Sequence, residues 1–405
     1  MKLSKLSQLF LVSAIGLILA AGLTGCYIAT IDYVFVATSG GSSSGTTGQI
    51  YTYAADAESG ALRPVHAAIS SGGNSPIAMA VDSTYADLYV ANEASNTVIH
   101  FAIASDGTLS QKDSITTAEP PAAIIINQAD SYLYVVTGTT SATLTEYSLS
   151  NGVIGSPVAS ETLSLPGYSS DTLVPTAVAV LPNNNAVYAA AYDSSAYSPG
   201  CPSCVTSNAN PGWVFGFSVG SGGALSTLSQ SPYEAGVKPS GLAPDPTNRF
   251  VYATDYASNQ LIGYTIQGNY QLDFMVNGPF KTGNEPVAVI VDPRGLFIYV
   301  ANALDSTVSA YSIALSTGTP SAAYSTTGTT SNQTDSEPVA IVIDPSLGRY
   351  VYTANHLADT VSGFRLNPNT GVLQSTIATP YPSGRGPSAI AAVPHGNYAV
   401  QTTAP

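Results

Sequence analysis

Charge is scarce in this chain. Of its 405 residues only 9% are charged, and 11 Lys and Arg stand against 25 Asp and Glu, for a formal net charge of -14. Nucleic-acid phosphates are bound by clustered cations that displace counterions, so a nucleic-acid partner is excluded. The residues that fill helix surfaces, Glu, Lys, Arg and Met, are outnumbered by Ser, Thr, Val, 36 Gly, 27 Pro and 25 Tyr, which predicts an all-β protein. Nucleophile elbow, phosphate-cradling loop, HExxH and EF-hand patterns are all missing. The many serines and threonines, without a positioned His, read as surface composition. Apolar residues make up 44% of a long chain, enough to bury a sizeable core, so disorder is excluded as the main state.

The three cysteines fall in two places. Residues 1–25 carry Lys2 and Lys5 ahead of an apolar run from Leu9 to Leu23, the layout of a secretory signal. The segment ends Leu23-Thr24-Gly25-Cys26, which resembles the bacterial lipobox. That resemblance implies cleavage before Cys26, acylation of its sulfur, and a short linker over residues 26–32. The alternative is an uncleaved membrane anchor, for which the run is long enough. Either way the body is expected outside the cytoplasm, on the periplasmic or outer side of the cell envelope. An acidic body is repelled by anionic headgroups, so the lipid must supply the attachment to the membrane. Cys201 and Cys204, in Gly-Cys-Pro-Ser-Cys, are expected to form a local disulfide in that oxidising compartment. A redox role is the weaker reading, because such motifs open a helix in a βαβ setting, and no further zinc ligands lie nearby.

One block recurs along the rest of the chain. It begins with Pro, runs as a short apolar strand, turns at Asp-Pro or Asn, and enters an aromatic strand ending in Ala-Asn. The clearest copy is Pro286-Val-Ala-Val-Ile-Val-Asp-Pro, then Leu296 to Asn302, then Thr307 to Ile313; Pro338 to Leu366 nearly repeats it. Pro-led strands start at Pro76, Pro121, Pro175, Pro239, Pro286, Pro338 and Pro387. Second strands centre on Phe35, Tyr89, Tyr134, Tyr188, Tyr252, Tyr299, Tyr352 and Tyr398, one more than the Pro-led strands. The surplus is explained if the two ends of the chain share one blade of a closed ring, with residues 387–393 innermost and residues 49–70 outside. Either Tyr33 to Thr38 or Tyr398 to Thr403 takes the place between them. Radial four-stranded units of this length predict a seven-bladed β-propeller over residues 33–405, with an insertion at 192–212 that carries the CxxC. Asp245, Asp292 and Asp344 read as turn residues.

The repeated Tyr-Val-Ala-Asn, at Tyr89 to Asn92 and Tyr299 to Asn302, resembles the YVTN propeller repeat. The whole pattern is similar to the lactonase-family seven-bladed propellers, which include 6-phosphogluconolactonase and the carboxymuconate cyclase. The resemblance implies that fold, with lactone hydrolysis at the central funnel as its activity.

Residues just before the Pro-led strands should ring the funnel mouth: Asn74 and Ser75, Glu119, Val174, Lys238, Glu285, Glu337 and Arg385. In a catalytic reading Lys238 and Arg385 hold an anionic or carbonyl group, while Glu119, Glu285 or Glu337 acts as a base or binds a divalent cation. A second ring follows the second strands: Asn92, Asp255, Asn302, Asn355 and His356. Its asparagines also fit turn closure by side-chain to backbone bonds. His66 and His100 fall on outer strands and His395 on the opposite face, so a three-His metal site is not expected. Related lactonases bear His and Arg at their strand starts, whereas here these read Ser-Pro-Ile-Ala, Glu-Pro-Val-Ala and Gly-Pro-Ser-Ala. The expected function is therefore a monomeric, cofactor-free binding or scaffold module of the envelope, recognising a protein, glycan or small molecule by hydrogen bonds and aromatic contact. The alternative is hydrolysis of a sugar or aliphatic lactone.

Overall fold

The computed structural model describes residues 29–40, 47–139, 141–165, 172–195, 211–323 and 331–396. The lipobox with Cys26, the pair Cys201 and Cys204, and the segment Tyr398 to Thr403 lie outside them. The chain forms seven sheets of four antiparallel strands, the outermost strand of five of them being split in two. We number the blades by their inner strands: blades 1 to 6 begin at Pro76, Pro121, Leu173, Pro239, Pro286 and Pro338, and blade 7 at Pro387. Each inner strand packs on the next and that of blade 7 on that of blade 1, closing the ring. In blade 7 the inner strand Pro387–Pro394 pairs with Thr30–Thr38, so the N-terminal strand takes the second place. The last strand edge is thereby covered without an added element.

In six blades the leading proline sits at the first position of its strand, where its missing N–H costs no ladder bond; in blade 3 the strand starts two residues earlier, at Leu173. In those six blades it pairs with the end of the second strand, in blade 3 Pro175 pairs with Ala191, and in all seven the residue after it is bulged, as between Pro286↔Asn302 and Ala288↔Ala301. A bulge re-aims a side chain. Here it turns Ile77, Ala122, Thr176, Ser240, Val287, Val339 and Ser388 toward the axis, where all seven line one cavity.

Neighbouring blades are joined by a repeated contact. The tyrosine hydroxyl of one blade's second strand donates to a carbonyl in the outer turn of the next: Tyr188 to Tyr270 (2.6 Å), Tyr252 to Gly318 (2.7 Å), Tyr299 to Gly371 (2.9 Å), Tyr352 to Gly60 (2.9 Å), and Tyr89 to Gly152. These turn residues are left-handed, with φ of 71° at Gly371 and 74° at Gly318. An added Cβ at Gly371 would lie 2.3 Å from the Phe297 ring, so glycine is required by both conformation and space. Tyr270 occupies this turn position with φ 66°, and the residue facing it from blade 3 is Ala186 rather than an aromatic. Tyr134 differs too: its phenol neighbours Glu146, whose carboxyl burial pushes up to about 7.

The Asp turns are as the sequence reading has them. Asp245 Oδ1 accepts the amides of Arg249 and Phe250, Asp292 Oδ1 those of Leu296 and Phe297, and Asp344 Oδ2 those of Arg349 and Tyr350.

At the seam between blades 6 and 7 the buried Asp32 lies beside Asp344, with the Ser346 hydroxyl 2.5 Å from its Oδ1. Burial, and next the Asp344 charge, push the Asp32 carboxyl up to about 9 from an ordinary 3.8. Between those values the folded chain holds a proton that the unfolded chain has released. The stabilisation is complete below about pH 3.8 and is lost as pH rises through about 9. Denaturant midpoints taken from pH 5 to 9 should fall with pH, and Asp32→Asn should flatten that slope. For the blade contacts, Tyr299→Phe should cost about 1 kcal/mol, and Gly371→Ala more, about 2 kcal/mol or above, both read as shifts of the urea midpoint.

Candidate binding funnel

The inner strands enclose a central cavity of about 540 Å³ that touches all seven blades. Its wall is mostly methyl groups, from Ile77, the alanines of blades 1 to 3 and 5, Val287 and Val339. Three hydroxyls line it, and each donates to a backbone carbonyl: Ser240 to Pro286 (2.6 Å), Thr176 to Ala190 (3.3 Å) and Ser388 to Pro76. Their protons are thus committed to the scaffold.

Among the described residues two ionisable side chains reach the cavity, Glu337 and His356, both from blade 6. They are held together by the His356 amide donating to the Glu337 carbonyl at 2.7 Å. His356 Nδ1 lies 3.1 Å from the Pro387 carbonyl. A carbonyl only accepts, so Nδ1 carries the hydrogen and Nε2 the lone pair. Glu337 has a left-handed backbone, φ 59°, and its buried Oε2 has no hydrogen-bond partner among the described residues.

Lys238 stands at the mouth between blades 3 and 4, its Nζ 4.4 Å from the Tyr256 ring centroid and 5.5 Å from that of Tyr192. This is a cation–π cradle. Burial lowers the Lys238 pKa, and the Glu285 carboxylate opposes that shift. Glu285 shares the left-handed backbone, with φ 53°, and its amide donates to Asn259 Oδ1 at 2.8 Å.

The ring is smaller than the sequence reading placed it. Left-handed backbone just before the proline recurs at Ser75, Glu285, Glu337 and Gly386, so blade 7 puts Gly386 where Arg385 was expected. Pro120 likewise directly precedes Pro121, setting Glu119 one residue further out. Arg385 and Glu119 are both exposed, and neither lines the cavity. Val174 pairs with Tyr192.

In the second ring Asn92, Asp255, Asn302 and Asn355 are fully buried and act on the turns. Asp255 accepts the amides of Val237 and Lys238 at 2.9 Å each, fixing the loop that carries Lys238. Asn92 is bonded to Ser71, and Asn355 to Thr360 and Ser362. Only His356 of that ring reaches the cavity. Among the described residues no three His, Cys, Asp or Glu side chains converge as a metal site. His100 is bridged between Asp87 (2.8 Å) and Asp113 (2.7 Å) on outer strands.

Sequence reasoning missed the tyrosine cradle and the bulged hydroxyls. The repeat contained a signal for both: Tyr256 follows Asp255 as His356 follows Asn355, and Ser240 and Ser388 each come one residue after a leading Pro.

The family description "Lactonase, 7-bladed beta-propeller" matches residues 33–197 and 105–402, together nearly the whole body. No match was found among curated protein sequences. Among solved structures, a proposed 6-phosphogluconolactonase from Bacteroides uniformis superposes with a TM-score of 0.72 at 16% identity, covering 90% of this chain and 100% of that one. The periplasmic gluconolactonase PpgL of Pseudomonas aeruginosa gives 0.70 at 18% identity, over 90% and 99%. At such identities these two likenesses speak to the fold, and the family match covers the same span: the chain belongs to the lactonase family of seven-bladed β-propellers.

Proposed function

We propose that the funnel binds a small, uncharged, ring-shaped molecule, and that the protein is a non-catalytic recognition module held at the cell envelope by lipid on Cys26. The observation that carries this reading is the cavity wall: methyl groups from six of the seven blades, with its three hydroxyls already donating to backbone carbonyls. Such a wall suits the apolar faces of a ring. It offers few preorganised donors for an oxyanion, which acyl transfer requires. Among the described residues no Lys or Arg lines it, so a phosphorylated ligand meets no counter-charge from them.

Hydrolysis of a neutral lactone is the second reading, favoured by His356. With Nδ1 bonded to Pro387, its Nε2 lone pair is available to take a proton from an attacking water, and Glu337 supplies a carboxylate beside it. The family and the gluconolactonase neighbour support this reading as well.

Calorimetry and turnover assays on the full chain with a panel of sugar and aliphatic lactones and their open acids separate the two. Recognition predicts binding without turnover, weakened roughly tenfold in His356→Ala. Hydrolysis predicts turnover that falls on the order of a hundredfold or more in the same variant. Silence across the panel in both assays would sink both readings.

For the anchor, Cys26→Ser should abolish incorporation of labelled palmitate, since the lipid is proposed to sit on that sulfur. Retention of label in that variant would overturn the lipid anchor.

A further inference from the structure

A second cavity, of about 450 Å³, lies outside the funnel between the outer part of blade 4 and blade 5. Its floor is the buried Thr307, Ser309 and Tyr311, and its rim the exposed Lys281, Asn284 and Asp305. None of these residues lines the central cavity.

Blade 6 shows what the fold otherwise places there. The connector Thr334-Asp335-Ser336-Glu337 corresponds to Thr282-Gly283-Asn284-Glu285. In blade 6 Asn355 Nδ2 donates to Thr360 Oγ1 (3.1 Å) and Ser362 Oγ (2.9 Å); in blade 5 Asn302 Nδ2 donates in the same way to Thr307 (3.0 Å) and Ser309 (2.9 Å). Thr360 then donates a hydrogen bond to the Asp335 carboxylate at 3.1 Å, and the Asp335 amide donates to Ser362 at 3.0 Å. Blade 5 has Gly283 in place of Asp335. A Cβ there would lie 2.7 Å from Asn302 Cγ and 2.8 Å from Asp305 Oδ2, so no side chain fits. The Thr307 hydroxyl, already accepting from Asn302, is left without an acceptor among the described residues.

A second group is orphaned by the same divergence. Asn355 Oδ1 accepts from Thr353 at 2.9 Å, but Val300 stands in the corresponding place in blade 5. Asn302 Oδ1 is therefore fully buried without a partner among the described residues. An unmet buried acceptor costs about 1–3 kcal/mol, and Asn302 lies behind the cavity wall, while the Thr307 hydroxyl lines the cavity itself.

We propose that this cavity is a separate binding site for a neutral hexose unit of a saccharide. The polar groups are mixed, as a polyol requires: Thr307 and Lys281 donate, and Asp305 accepts. Asp305 takes one hydrogen bond on each oxygen from Asn284, at 2.7 and 2.8 Å, which fixes the carboxylate and leaves lone pairs for ligand hydroxyls. Lys281 and Asp305 have opposite charges, so the rim selects for neutrality. The Tyr311 ring, pinned by its hydroxyl to the Lys281 carbonyl at 2.6 Å, offers an apolar surface to the face of a sugar.

The test is saturation-transfer NMR on the full chain in a zwitterionic detergent, with glucose, galactose, mannose and N-acetylglucosamine as probes. Transfer to at least one is expected, with affinity falling roughly fivefold in Thr307→Val and in Lys281→Ala, about the worth of one hydrogen bond each. Lys281 is exposed, so its variant should fold even if Thr307→Val does not. The funnel variant Glu337→Gln should leave the transfer unchanged. No transfer from any probe, equal transfer in the Lys281 variant, or loss of transfer in Glu337→Gln alone would overturn the site without touching the funnel reading.

Discussion

The contact on which the molecule depends is that between a second-strand aromatic and the left-handed outer turn of the next blade. The tyrosine ring fills the space between sheets while its hydroxyl satisfies a turn carbonyl that would otherwise be buried unpaired. Where the turn residue has positive φ and a ring against it, as at Gly60, Gly318 and Gly371, glycine is demanded by the neighbouring blade rather than by its own. Blade-to-blade angle is thus fixed by pairs such as Tyr299 with Gly371, and the seven angles sum to a closed ring. The seam obeys the same rule: Tyr352 of blade 6 reaches Gly60 of blade 7, and Tyr53 reaches back to the Pro382 carbonyl. The two ends of the chain are held by this device as well as by strand pairing.

Once the ring is fixed, the funnel follows from a backbone irregularity. A leading proline and a bulge, with a left-handed residue before the proline in blades 1, 5, 6 and 7, set which side chains face the axis. The repeat keeps this geometry while letting the chemistry vary, as Ser75, Glu285, Glu337 and Gly386 show at one position. Scaffold positions are uniform and ring positions diverge, so what the ring holds in common is geometry and what differs is the candidate chemistry.

Blade number, the Pro-led strands, the Asp turns and closure by shared termini could all be read from the sequence, because each is a local signal repeated many times. What could not be read was register at the level of one residue. Arg385 and Glu119 lie next to the right prolines, yet the left-handed position belongs to Gly386 and the double proline at 120–121 shifts blade 2. Which asparagines face solvent was equally hidden, since Asn92, Asn302 and Asn355 owe their burial to partners on other strands. The choice of Thr30–Thr38 over the C-terminal segment for blade 7 rests on a ladder between the two ends of the body, from Asp32↔Pro394 to Thr38↔Pro387.

The acidity of the chain takes on a different meaning in the structure. Asp245, Asp255, Asp292 and Asp344 are completely buried, and each accepts two or more backbone amides, so much of the negative charge is consumed in closing turns. Carboxylates used this way serve the fold and present nothing to a partner. The acidic residues not spent on closing turns are then the informative ones. Glu337 in the central cavity has no such bonds among the described residues. Asp305 is spent only on its neighbour Asn284 and remains exposed at the second cavity. In a chain so poor in charge, a carboxylate that the turns do not require marks the places where a ligand has something to gain.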